Sequence, residues 1–377
     1  MSRRSMALAT VALGACLAWP AYGATPIAIG VESPITGPYA NEGQGVVDAT
    51  RLAVREVNAH GGLLGHPLKV IVCDDQGKAA AGAICARQLS SDHVLAEIGT
   101  YTSGSALAGE PIYERAHVIQ ISNGSSSELT SHGYKTFFRA TPPASADAQF
   151  AAHYMKVQGY KRIAVLTDHS SFSTNLAGAM VAAARHDGLD VIDEAYITAG
   201  SQNYTPVLTK LKAMHLDALY FAGYYTDGGL IKAQMAQLGM KTRFFGGEGN
   251  ANAKFAQLAG SAAPGAIIID LPPPEQLGSP AAKAFLAHFK QVYGHEPPSI
   301  YTVATVDGLD AVLQTARRIH SVAPDKLIPA LHDLKNFKGM TGTFSWNGVG
   351  ERVGGGFVAL ELGPNGASKI VYPPQGS

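Results

Sequence analysis

Residues 26–62 read PIAIGVESPITGPYANEGQGVVDATRLAVREVNAHGG, and this stretch decides the fold. Residues 27–31 are a short apolar run that reads as a strand. Residues 46–59 carry apolar side chains at helical spacing, and Gly61-Gly62 stops that helix. The same unit then repeats. Residues 68–73 are the next strand and 79–89 its helix. Strands at 96–99 and 118–122 bracket a helix from about 105 to 115. A second block places strands at 162–167, 191–196, 218–222, 243–245 and 266–270, with helices at 144–158, 175–187, 204–214 and 227–238. Apolar strands alternating with amphipathic helices predict parallel sheets covered on both faces. Two such blocks predict two doubly wound α/β lobes.

Three stretches interrupt the alternation: Thr141-Pro142-Pro143, Leu271-Pro272-Pro273-Pro274, and Phe344-Ser345-Trp346-Asn347-Gly348. Between the last two, residues 281–334 are almost purely helical and are expected to return over the first lobe. The interruptions then become three crossovers around an interlobe cleft. The expected domains are residues 24–141 plus 272–345 for one lobe, and 142–271 plus 346–377 for the other.

The 377 residues are 46% hydrophobic, which supplies a core, and 29 basic residues balance 29 acidic ones. No basic tract or acidic tail occurs, so nucleic acid has no electrostatic footprint here. The chain opens with Arg3 and Arg4, an apolar run over residues 6–19, and Ala21-Tyr22-Gly23. This is the pattern of a secretory signal peptide, residues 1–23, and predicts export to the periplasm. Leu13-Gly14-Ala15-Cys16 also resembles a lipobox, with Cys16 as the lipidated residue, and Ser2-Arg3-Arg4 faintly resembles a twin-arginine signal. The two remaining cysteines, Cys73 and Cys85, suit a disulfide in an exported chain, with two buried thiols as the alternative. A bond there stabilises by about 3 kcal/mol in the chain-entropy model.

Catalytic signatures are missing. The sequence contains no P-loop, no H-E-x-x-H, no G-x-S-x-G elbow and no tight His/Cys cluster, so nucleotide hydrolysis, zinc chemistry and serine hydrolysis lack support. Gly43-Gln44-Gly45 lacks the third glycine of a dinucleotide fingerprint. Asp74-Asp75 reads as a solvated turn with a helix cap. Neither an enzyme nor a cofactor nor a bound metal is expected.

Open parallel sheets bind ligands beyond the carboxyl ends of their strands. That rule collects Tyr101, Thr102 and Ser103 after one strand, and Gly124, Ser125 and Ser126 after another. From the second block it collects Phe172, Tyr224 and Glu248. Hydroxyls, backbone N–H groups and a helix N-terminus suit a carboxylate. A glutamate suits an ammonium, and aromatic rings can wall an apolar side chain. Together the groups fit a zwitterionic amino acid.

Collinear segments of the chain resemble the periplasmic substrate-binding proteins of branched-chain amino acid ABC transporters, the leucine/isoleucine/valine-binding family. They are Pro34-Ile35-Thr36-Gly37-Pro38-Tyr39-Ala40, residues 57–65, Asp74-Asp75, Glu128-Leu129-Thr130, Phe138-Arg139, Gly223-Tyr224 and Gly246-Gly247-Glu248-Gly249. The resemblance implies a type I periplasmic binding fold and a non-catalytic receptor that closes on an amino acid and presents it to an inner-membrane permease, as a monomer. It implies that Ser103, Gly124, Ser126 and Glu248 hold the ligand's charged groups and that Tyr224 caps the second-lobe side. Three positions depart from the family. Phe172 replaces a common tyrosine, Tyr101 replaces a small aliphatic side chain, and Glu42 stands where leucine binders carry an aromatic residue. Glu42 is expected either to point to solvent or to meet a donor or positive charge on the ligand. The alternatives are a receptor of the same fold for an amide, urea or an aromatic acid, and a ligand-sensing protein.

Overall fold

The computed structural model describes residues 24–373; the expected leader, with Cys16, lies outside them. Five parallel strands form the first sheet: β1 (Ile27–Ser33), β2 (Leu68–Asp74), β3 (Ala96–Ile98), β4 (Ile119–Ser122) and β5 (Phe137–Arg139). Their order is β2-β1-β3-β4-β5. Helices α1 (Ala40–Ala59), α2 (Ala79–Ser91) and α3 (Ser103–Ala116) connect them. After α4 (Ala144–Val157) the second sheet begins with β6 (Arg162–Thr167), β7 (Asp190–Tyr196), β8 (Ala218–Ala222), β9 (Arg243–Gly246) and β10 (Ile267–Asp270). They alternate with α5 (Ser171–Asp187), α6 (Thr205–Lys212), α7 (Tyr225–Gln237) and α8 (Ala253–Ala259). In both sheets the strand order reverses next to the first strand, between β1 and β3 and again between β6 and β8. Ligands bind outside the strand ends at such switch points.

The helical stretch resolves into α9 (Pro280–Tyr293), α10 (Ile300–Ile319) and α11 (Pro324–His332). It does return over the first sheet: Ala304, Leu309, Val312 and Leu327 share a core with Ile29, Ile98, Ile119 and Ile121. A small antiparallel sheet follows, β11 (Phe337–Gly339), β12 (Gly342–Trp346) and β13 (Arg352–Val353). The expected lobe boundary at residue 345 falls inside it. Trp346 is fully buried and its indole N–H donates to the Arg139 carbonyl at 2.8 Å, so the chain stays with the first sheet through β13. It then crosses back as β14 (Val358–Leu362) and β15 (Ser368–Tyr372).

Those last strands are the strand-rich end of the chain and extend the parallel second sheet at its β10 edge. β14 pairs with β10, and β15 with β14, both antiparallel, giving the seven-stranded order β15-β14-β10-β9-β8-β6-β7. Helix α1 starts six residues before the expected position. Gly43 and Gly45 do not break it; they let it approach its neighbours. A Cβ on Gly43 would lie 2.2 Å from the Pro34 carbonyl oxygen, and one on Gly45 would lie 2.4 Å from the Pro298 ring. Asp75 is buried rather than solvated and accepts from the Gly77 N–H at 2.8 Å. Cys73 on β2 and Cys85 on α2 are disulfide-bonded, with their Cα atoms 5.5 Å apart.

Candidate ligand site

One small cavity lies where the carboxyl ends of both sheets face each other. Tyr101, Ser103, Asn123, Ser125, Phe172, Tyr224, Glu248, Gly249 and Tyr301 line it. From the first sheet, β3 leads to Tyr101 and then α3, whose N-cap Thr102 accepts from the Ser105 N–H at 3.3 Å. Ser103 opens this helix. Its Oγ accepts from the Ser126 N–H at 3.2 Å, so the hydroxyl proton remains available for an acceptor in the cavity. The positive end of α3 points the same way and favours an anion.

The opposite wall comes from β9. The Glu248 backbone N–H donates to Asp147 Oδ2 at 2.7 Å, and Tyr220 donates to Asp147 Oδ1 at 2.6 Å. Asp147, on the first turn of α4, thereby fixes the turn that presents Glu248. Tyr301 on α10 donates to Glu248 Oε2 at 3.4 Å, whereas Oε1 is buried without a partner. Burial pushes the Glu248 carboxyl above its ordinary range, and Ser125, Arg139 and Tyr301 oppose that shift. Asp147 is raised as well, by burial first and then by the charge of Glu248.

Asn123 supplies a second acceptor. Its amide N–H donates to Thr305 Oγ1 at 2.8 Å, and that hydroxyl in turn donates to the Tyr301 carbonyl at 2.8 Å. The Thr305 proton is spent, so its oxygen must accept. This fixes the amide orientation and leaves Asn123 Oδ1 buried and unpartnered. Aromatic rings close the remaining sides. Tyr224 lies 4.9 Å from Phe172, 5.7 Å from Tyr101 and 4.5 Å from Tyr39, and Tyr101 meets Tyr301 edge-on at 5.8 Å.

Of the expected residues, Tyr101, Ser103, Phe172, Tyr224 and Glu248 meet in this cavity, while Gly124, Ser126 and Glu42 do not line it. The Gly124 N–H is occupied by Ser122 Oγ at 2.9 Å, and Ser126 Oγ caps the following turn by accepting from the Glu128 N–H. Their neighbours Asn123 and Ser125 face the cavity instead. The solvent-facing expectation for Glu42 is overturned. It neither reaches solvent nor touches the cavity, because the Asn252 amide and the Ser299 hydroxyl (2.7 Å) hold it in a separate buried network. Tyr301 lay beyond strand-end reasoning, since it arrives on a helix from a crossover. The Pro297-Pro298-Ser299 helix start was the available sequence signal.

A two-sheet α/β fold with a polar and aromatic site between facing strand ends is the architecture of a binding protein, and the comparisons agree. The family described as Periplasmic binding protein matches residues 26–366, so the chain belongs to that family. It is 27% identical to the Leu/Ile/Val-binding protein homolog 3 of Brucella melitensis over 91% of this chain and 93% of that one. A Leu/Ile/Val-binding protein of Rhizobium johnstonii is 30% identical over 68% of this chain and 71% of its own. Among solved structures, the branched-chain amino acid transporter substrate-binding protein LivJ of Streptococcus pneumoniae, in complex with isoleucine, superposes with a TM-score of 0.83. It shares 25% identity and covers 92% of this chain and 98% of its own.

Proposed function

We propose that this protein is the extracytoplasmic receptor of an ABC importer and binds one free amino acid in the cavity between its sheets. The observation that carries this is the pair of unpartnered buried acceptors, Glu248 Oε1 and Asn123 Oδ1, in a cavity whose other wall offers the Ser103 hydroxyl and the N-terminus of α3. Orphan buried acceptors are costly and call for a donor. An α-ammonium satisfies both while its carboxylate meets Ser103 and the helix. Each lobe is built on one sheet: residues 24–141 with 272–353, and residues 142–271 with 354–373. Because Glu248 comes from one lobe and Ser103, Asn123 and the N-terminus of α3 come from the other, the ligand favours the closed arrangement, which a membrane permease then reads. The protein acts as a monomer in the periplasm, delivered by a leader over residues 1–23 or tethered through Cys16.

The names of the relatives make leucine, isoleucine and valine the first ligands to test. A flat aromatic acid would suit the ring-lined walls, but it would leave Glu248 and Asn123 without donors. Calorimetric titration with L-amino acids, benzoate, simple amides and urea separates these classes. An amino acid is expected to bind tightest. Glu248→Gln should weaken it by about 30-fold or more, the loss typical of removing one partner from a buried charge pair. Tight binding only of ammonium-free compounds, or unchanged affinity in the variant, would overturn the proposal.

A further inference from the structure

A larger cavity, of about 220 Å³, lies between β10, β14, the start of α8 and the approach to α10. Period-two alternation builds its floor. Ile268 and Asp270 project from the same face of β10, next to Leu360 and Leu362 of the adjoining β14. The start of α8 (Asn252, Ala253 and Ala256) forms one side, and residues 296–300, leading into α10, form the other. The walls are largely apolar. Three carboxylates line the cavity, from Asp270, Glu275 and Glu296, and no lysine, arginine or histidine does. Glu296 is already paired with Lys290 at 2.8 Å, and Glu275 accepts from the Ser368 hydroxyl at 3.3 Å. Asp270 is different. It is only 3% exposed, and no side-chain donor reaches its carboxyl. Burial raises its carboxyl well above the ordinary range, with the charge of Glu248 next in effect. The amino-acid site makes no use of it.

We propose that this cavity is a second binding site, for a small organic ammonium ion whose cationic head pairs with Asp270 and whose hydrocarbon part packs on Ile268, Ile300, Leu360 and Leu362. Apolar walls with one convergent polar group are the usual construction of a small-molecule site. A cation lets this buried carboxyl ionise and pair with it, which an anion or a neutral alcohol cannot do.

n-Butylammonium chloride is a suitable probe, with n-butanol as the uncharged control and isothermal titration calorimetry as the readout. The amine should bind and the alcohol should not. Asp270→Asn should weaken the amine by at least about tenfold, and by clearly more than Glu248→Gln, which removes a neighbouring charge but none of the amine's contacts. Ser368→Trp, on the partly exposed rim, fills the cavity and should abolish binding; it also decides the question if Asp270→Asn does not fold. Failure of the amine to bind, an equal response to butanol, or loss in Glu248→Gln with retention in Asp270→Asn would overturn the second site. None of these results bears on amino-acid binding, which is measured separately with the same variants.

Discussion

Glu42 is fully buried on the first turn of α1 and touches no cation. Burial pushes its carboxyl up to about 7, and hydrogen bonds from Ser299 and Asn252 only partly oppose this. In the unfolded chain it returns to about 4.3. The folded state therefore binds the proton more tightly. The resulting stabilisation is complete below the unfolded value and is lost as pH rises through about 7. A shift of this size corresponds to about 3 kcal/mol. Glu42→Gln keeps the shape and removes the charge. In urea unfolding, the variant and the wild type should have similar stability at pH 5, and at pH 8 the variant should be more stable by about 2–3 kcal/mol. An identical pH slope in both would show that Glu42 is not the group being titrated. None of this was readable locally, because Asn252 and Ser299 lie 210 and 257 residues away along the chain. Ser103 and Glu248 were readable because strand ends locate ligand groups without knowledge of distant partners. Asn123 and Ser125 line the cavity where Gly124 and Ser126 do not for a related reason: neighbouring loop residues point in opposite directions, and only packing decides which one faces inward.

At the scale of elements, strands buried on both faces announced themselves as apolar runs, and their parallel pairing followed from the alternation with helices. β5 did not, since Phe137–Arg139 is three residues long and ends in an arginine. That arginine is the most consequential miss. Arg139 is fully buried; its guanidinium donates to the carbonyls of Gly124 and Ser126 (3.0 Å for the latter) and to Glu351 Oε1 at 2.5 Å. It thus ties the loop carrying Asn123 and Ser125 to the turn between β12 and β13, near the third crossover. A basic residue at the end of a strand reads as exposed until the chain returns more than two hundred residues later to cover it. Arg139→Met leaves three acceptors unsatisfied and should cost about 3–5 kcal/mol of stability by chemical denaturation. Amino-acid affinity should also fall in the variant that remains folded, measured below its unfolding transition. Full affinity at reduced stability would confine Arg139 to the scaffold.

At the scale of the whole molecule, the two lobes also touch outside the ligand cavity. On one flank the Ser127 N–H donates to Asn175 Oδ1 at 3.1 Å, and the Asn175 amide donates to Ser127 Oγ at 2.7 Å. On the other flank Asn41 donates to Asn252 Oδ1 at 3.1 Å, and Tyr225 donates to the Pro38 carbonyl at 3.3 Å. Asn175 and Ser127 do not line the cavity, so any influence on affinity must pass through the open–closed equilibrium. Ser127 is exposed and Asn175 half-buried, and each of their hydrogen bonds contributes about 0.5–1.5 kcal/mol net. Asn175→Ala should therefore destabilise the closed form by about 1–2 kcal/mol. If the ligand-free protein is mostly open, the whole of that appears in binding, as roughly a fivefold to thirtyfold weaker affinity expressed mainly as faster dissociation. The melting temperature without ligand should not change, because the open form lacks the clasp. Stopped-flow release and calorimetry on the same variant check both parts. Unchanged release in Asn175→Ala, with a large loss in Glu248→Gln, would mean that the lobes do not move apart and that the cavity is a fixed socket. A lower ligand-free melting temperature with unaltered affinity would mean that the clasp is closed before the ligand arrives.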